Sequence, residues 1–383
     1  MRYAEVPAAL QTRRVMSVDA LRGFSIFWII GADGAVIALE RMLRNKGPVL
    51  GSVGNFLGTQ MTHADWEGFR FYDFIFPLFI FITGVSIVLA LPLLVEREGR
   101  AKAHLHVLRR ALFLYVLGII YYGGVGQQLG DIRLVGILQR IAVCYLFASI
   151  LFLHLDWRGL LAAAVTLLVG YWALLTFVPV PGLGTSSYQP ETNLANWVDL
   201  HFLPGRLWDE TRDPEGLLST LPAIATCVLG VLAGLLLKDE RVPPARKTSW
   251  LIVAGAAMIA AGYLWGLQFP IIKAIWTSSF VLIVGGYSMI LLAVSHQVVD
   301  IREWKSWATP FVWIGANAIT LYFINGIVGF VPFAFRIVGG DVALWISSVT
   351  TPGTGAFVGH ILGLALAIAL AGFLYRRKIF LRV

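Results

Sequence analysis

His63 is the side chain of this sequence best suited to moving a proton near neutral pH. It stands in Thr62-His63-Ala64-Asp65-Trp66-Glu67-Gly68, with Asp73 and Phe76-Pro77 shortly after. An imidazole beside carboxylates and an indole suits a general base or a nucleophile. If 63–67 is helical, His63 and Glu67 share a face. Asp73 then lies about 15 Å along any continuous helix and reaches His63 only through a bend. The competing account is an interfacial loop in which Trp66 anchors at lipid headgroups and His63 is merely polar. His104, His106, His154 and His296 lie at the other ends of apolar segments and His360 lies inside one, so only His63 and His201 fall on the same side as the long loops. No metal is expected, because His-Glu-x-x-His and Cys-x-x-Cys spacings are missing. Cys144 and Cys227 both sit in apolar runs, which leaves no disulfide framework.

A second group of candidates is polar residues within apolar stretches: Asp33, Arg140 in Gly136-Ile137-Leu138-Gln139-Arg140, and Asn317 in Gly315-Ala316-Asn317. Such groups are costly in hydrocarbon and face a bundle interior or a wet cavity. They suit an Asp–Arg pair that fixes packing or a polar path for a proton or solute, and alone they do not separate enzyme from transporter. A third is Arg14-x-x-Ser17-x-Asp19-x-x-Arg22-Gly23, where Ser17 can cap a helix, Asp19 suits its positive end, and Arg22 can pair with Asp19 or reach an anion. A fourth is Asp213-Pro214-Glu215-Gly216, read as the start of a helix whose outward carboxylates could bind an amine.

The elements that must position these residues are membrane helices. The 383 residues are 58% hydrophobic and 14% charged, with a mean hydropathy of +0.76, too apolar for a water-soluble fold. Stretches long enough to cross a bilayer fall at 23–40, 72–94, 108–123, 132–154, 159–180, 216–237, 250–269, 276–297, 308–330 and 355–375, and 331–349 can dip into the membrane. The expected fold is all-α and polytopic, with about ten transmembrane helices. Its organisation is a cytoplasmic segment 1–22, one transmembrane domain 23–375 and a basic tail 376–383. Lys and Arg concentrate in 1–22, 95–107 with Arg109 and Arg110, 155–158, 238–249, 298–307 and 376–383, which predicts that this side and both termini are cytoplasmic. The net charge of +8 is therefore a topology signal, and no nucleic-acid partner is expected. Loops 41–71, 181–215 and 331–354 lie opposite. Gly230/Gly234, Gly262/Gly266 and Gly355/Gly359/Gly363 are read as helix-packing sites.

In these residues the chain resembles the heparan-alpha-glucosaminide N-acetyltransferase family and its bacterial relatives among transmembrane acyltransferases. The resemblance runs from about residue 14 onward. It rests on the Arg14–Gly23 element, His63-Ala64-x-Trp66-x-Gly68 with Asp73 and Phe76-Pro77, Gly136-x-Leu138-Gln139-Arg140, Asp213-Pro214-Glu215-Gly216, Trp276-Thr277-Ser278-Ser279 and Gly315-x-Asn317. It does not include the large lumenal domain of the animal enzymes, and the family has an asparagine where this chain has Asp33. It implies an acetyltransferase that moves acetyl from cytoplasmic acetyl-CoA to an amino sugar or glycan terminus on the periplasmic side of a bacterial inner membrane. His63, Asp33 and Asp73 are the implied catalytic residues. Arg14, Arg22, Arg140, Ser278 and Asn317 would contact the co-substrate, and Trp66, Glu67, Asp213 and Glu215 the acceptor. Membrane lipid is a further partner, and a homodimer is one allowed assembly. This reading requires a hydrophilic channel from the basic rim to His63. The alternatives are a transporter for a sugar or cell-wall fragment that couples through Asp33 and Arg140, and a non-catalytic membrane partner.

Overall fold

The computed structural model describes residues 15–381, so Arg14 lies outside the described residues. Sixteen α-helices make up the described chain: α1 Met16–Phe27, α2 Asp33–Leu43, α3 Pro48–Gln60, α4 Phe71–Glu98, α5 Arg100–Tyr121, α6 Ile137–His154, α7 Trp157–Phe177, α8 Leu194–Phe202, α9 Thr220–Lys238, α10 Pro244–Gly266, α11 Ser278–Ser295, α12 Thr309–Ala316, α13 Ala318–Ile327, α14 Phe330–Val338, α15 Gly340–Val349 and α16 Thr354–Arg376. Nine helical segments among the described residues are long and apolar enough to cross a membrane, α1 and α2 counting as one. The pairs α12/α13 and α14/α15 are bent by 75° and 73° and bring the total to as many as eleven. The protein is an integral membrane protein whose backbone groups are satisfied within helices, as hydrocarbon demands.

Several boundaries differ from the sequence expectation, for local reasons. The first span runs Met16–Leu43 and carries a π-helical bulge at Trp28–Ala32, where Gly31 takes φ 130°. Ser17 does not cap it: the backbone N–H groups of Met16 and Ser17 donate to Asp300, at 3.0 and 3.4 Å. α6 begins at Ile137, which leaves Arg133 in the preceding loop rather than in a span. Asp213–Gly216 forms a turn, and the helix after it starts only at Thr220.

α4, α9 and α11 form the buried centre, whereas α5, α7 and α10 turn much of their surface outward to lipid. Without a hydrophobic force between helices in lipid, close approach depends on small residues. A Cβ added at Gly230 would strike the carbonyl oxygen of Phe81 on α4, and one at Gly84 the carbonyl of Cys227 on α9. Gly262 and the Gly355/Gly359/Gly363 row also face neighbouring helices closely.

Gly230→Leu should therefore destabilise the protein by at least about 1–3 kcal/mol through overpacking. Its thermal unfolding midpoint in detergent should fall. Gly170→Leu, with nothing within 4 Å of the added carbon, should leave that midpoint unchanged.

Candidate active site

α4 is the most apolar of the spanning helices, yet its third residue is Asp73, wholly buried. A buried carboxylate needs donors, and the chain folds back to provide them. Residues 61–70 leave α3, turn at Gly68 (φ 122°), and return so that the N–H groups of Ala64 and Arg70 reach Asp73 Oδ2 at 3.2 and 3.0 Å. This is the bend without which the two side chains could not meet, and it places His63 Nδ1 2.8 Å from Asp73 Oδ1. Arg70 tightens the loop by donating to the His63 carbonyl at 2.6 Å.

A second loop, 267–277, docks on the first. The N–H of Gly68 donates to the carbonyl of Ile271 at 2.8 Å, and Glu67 bridges to Ile272. The Trp276–Ser279 motif shapes that loop. The N–H of Ile272 donates to Thr277 Oγ1 at 3.0 Å, Ser279 Oγ donates to the carbonyl of Pro270, and the buried Trp276 takes φ 53°. Lys273 is thereby held with Nζ 2.8 Å from His63 Nδ1, 3.1 Å from Nε2 and 3.4 Å from Asp73 Oδ1. Burial pulls the Lys273 ammonium below the usual lysine range, while Asp73 and Glu215 pull it back up. Tyr72 lies against the imidazole with ring centroids 4.9 Å apart, and on its other side it meets Asp33. Asp33 thus reaches His63 only through Tyr72.

The half-exposed His63 opens into a cavity of about 430 Å³. Trp66, Asp213 and Glu215 line it, together with Tyr122, Arg133, Trp208 and Arg212. Glu67 is exposed and outside it. Trp66 is no headgroup anchor, since its Nε1 donates to the carbonyl of Tyr188 at 2.9 Å. Arg133 organises the far wall. Its guanidinium lies between the rings of Tyr122 and Trp208, 4.5 and 4.7 Å from their centroids, and donates to Asp213 and Glu215 at 2.8 Å each. Neither Lys273 nor Arg133 stood out as a site residue in the sequence. Lys273 is the lone charge between Gln268 and Trp276, which is the signal that could have marked it.

At the other end of the bundle a cavity of about 400 Å³ is lined by Arg22, His106, Arg110, Asn317 and the first residues of α13. The break between α12 and α13 falls at Asn317, whose Oδ1 is buried without a hydrogen-bond partner, as is Arg110 Nε. Arg22 donates to Ser86 Oγ at 2.6 Å. Between the two cavities lies a constriction of about 10 Å³. It shares Phe79, Ile141, Ala318 and Ile319 with one cavity and Ile29, Phe76 and Ile137 with the other. Its lining is apolar apart from the Tyr322 hydroxyl, so the expected hydrophilic channel is instead a line of cavities pinched by a dry apolar neck. Arg140 and Ser278 lie off this line. Arg140 stacks on Trp276 at 4.9 Å and donates to Ser219, and Ser278 donates to the carbonyl of Leu168 at 2.7 Å.

No family profile matches the chain. Among curated proteins it is similar to the human heparan-alpha-glucosaminide N-acetyltransferase, 27% identical over 388 residues that cover 84% of this chain and 55% of that protein. The mouse protein of the same name is 25% identical over 380 residues, covering 84% and 56%. The chain spans about half the length of the curated relatives it matches. The resemblance read from the spaced motifs thus extends, as a similarity, over most of the chain.

Proposed function

We propose that the protein transfers acetyl from acetyl-CoA to the amino group of an amino sugar or glycan terminus, across a bacterial inner membrane. The observation that carries this reading is the line of three cavities that ends at His63. The basic end takes the cytoplasmic side, a reading supported by the distribution of Lys and Arg. There Arg22 and Arg110 offer positive charge, Arg110 Nε an unused donor and the α13 N-terminus its backbone N–H groups to the phosphates of the co-substrate, while Asn317 Oδ1 can accept from an amide N–H of its arm. The apolar neck suits a thin, uncharged pantetheine arm after rearrangement of Phe76 or Tyr322, and it excludes phosphate. The acceptor enters from the periplasmic side, over Trp66 and Glu215.

Asp73 accepts from His63 Nδ1–H, so Nε2 is the basic nitrogen, and the Lys273 ammonium 3.1 Å away must turn from Nε2 toward the substrate before Nε2 takes a proton. The amine nitrogen attacks the thioester carbonyl carbon while Nε2 takes the amine proton. The tetrahedral intermediate then expels the CoA sulfur, which leaves as a thiol with that proton. Charge develops on the carbonyl oxygen, and Lys273 Nζ, 3.1 Å from His63 Nε2, is the donor we assign to it. Asp33 is a positioning residue that acts through Tyr72. A transporter coupled through Asp33 and Arg140 gains no support, because neither residue lines the neck.

His63→Ala should lower acetyl transfer to glucosamine-type acceptors by about 10²–10⁴-fold, the usual worth of a general base. Thiol release measures the rate, and acetyl-CoA affinity should change little. Full turnover in this variant would remove His63 from the chemistry.

A second expectation concerns pH. Because burial lowers the Lys273 pKa, the ammonium loses its proton at a lower pH than an ordinary lysine near about 10.4. Turnover should therefore fall on the alkaline side before that point. Lys273→Arg should remove the alkaline fall, and a profile identical to wild type would exclude Lys273 as the donor.

A further inference from the structure

α6 and α7 each pack on α9, and together the three helices leave a groove of about 690 Å³. Its walls are Val143, Phe147 and Leu151 of α6, Leu167 of α7, and Leu221 and Ile224 at the start of α9. The chemistry changes at one end, where Gln139, Arg140 and Glu215 line it. Arg140 lies in the first turn of α6, and the apolar part continues roughly 16 Å farther along the helix to Leu151.

Arg140 is 2% exposed and incompletely satisfied. Its Nη2 donates to Gly216 and Ser219, but Nε and Nη1 have no acceptor, and neither amide atom of the equally buried Gln139 has a partner. The nearby acids do not correct this, since Asp213 and Glu215 are both hydrogen-bonded to Arg133. Asp199, Asp213 and Glu215 supply negative charge nearby, but no acceptor meets Nε or Nη1, and a buried guanidinium short of acceptors calls for an oxygen-rich group such as a phosphate. The groove below it calls for a hydrocarbon chain. One molecule satisfies both needs.

We propose that this groove is a binding site for one anionic phospholipid, its phosphate taken by Arg140 and Gln139 and one acyl chain lying between α6 and α7. A zwitterionic lipid brings its own cation to a place already holding one, so it fits less well. The site is separate from the acetyl-transfer reading and touches the His63 cavity only through Glu215, which lines both.

Native mass spectrometry of the full chain, exchanged into detergent with equimolar phosphatidylglycerol and phosphatidylcholine of identical acyl chains, tests it directly. The wild type should retain one phosphatidylglycerol with at least tenfold preference. Val143→Trp and Ala163→Trp fill the groove from opposite walls and should each cut retention at least tenfold, whereas Arg140→Gln should abolish the headgroup preference. Equal retention of the two lipids by the wild type would overturn the proposal without recourse to any variant. So would unchanged retention in a tryptophan variant that elutes as the wild type does.

Discussion

The placement of one carboxylate governs the site. Asp73 stands at the start of an apolar helix with no exposed surface, and its cost of burial is met by four donors: the N–H groups of Ala64 and Arg70, His63 Nδ1 and Lys273 Nζ. Three of these come from the loop before α4 and one from a loop about two hundred residues later. Satisfying Asp73 therefore folds the first loop back, draws in the second, and brings the imidazole of His63 and the Lys273 ammonium together. The Trp276–Ser279 motif belongs to the same arrangement at one remove. Its side chains build the loop that delivers Lys273 and touch no reacting atom on the proposed reading.

Much of the fold was legible because hydrocarbon permits so little. An apolar run of about twenty residues can only be a helix, and the small-residue spacings found close crossings except at Gly266, which meets Ile271 of the following loop. What the sequence could not state was where a helix breaks. The 308–330 stretch reads as one span, but Asn317 divides it into α12 and α13. The polarity of that asparagine was visible, whereas its consequence depends on what packs around it. The site was legible in the same partial way. His63 and Asp73 were found by type, and their pairing was conditional on a bend that local spacing neither required nor forbade. Arg133 was read as a charge within a span because 132–154 is nearly continuous in hydropathy. In the fold it lies before α6, held between two rings and bonded to two acids.

The neck between the cavities changes the physical picture of transfer across the bundle. A wet channel would join the two aqueous sides and let protons pass down it. An apolar constriction of about 10 Å³ has room for about one water molecule, too little for a continuous file of water between the two ends. Charged groups then gather at the ends and leave the middle to Phe76, Leu138 and Ile141. Only an uncharged segment of a larger molecule gains by lying there, since nothing in the neck repays the dehydration of phosphate.

This separation also bears on the buried charges beside the path. Arg133, Asp213 and Glu215 form a compact, internally paired group, so replacing one member would strand the others in a low-dielectric wall. Lys273 and Asp73 are likewise mutually compensated, yet His63 stands between them half-exposed. The buried charges beside the cavity are thus held in ion pairs, while the imidazole of His63 is half-exposed to it. A proton acceptor so placed can exchange with the outer solution while the ion pairs around it stay intact, which is the property a base needs if it is to be reset after each turnover.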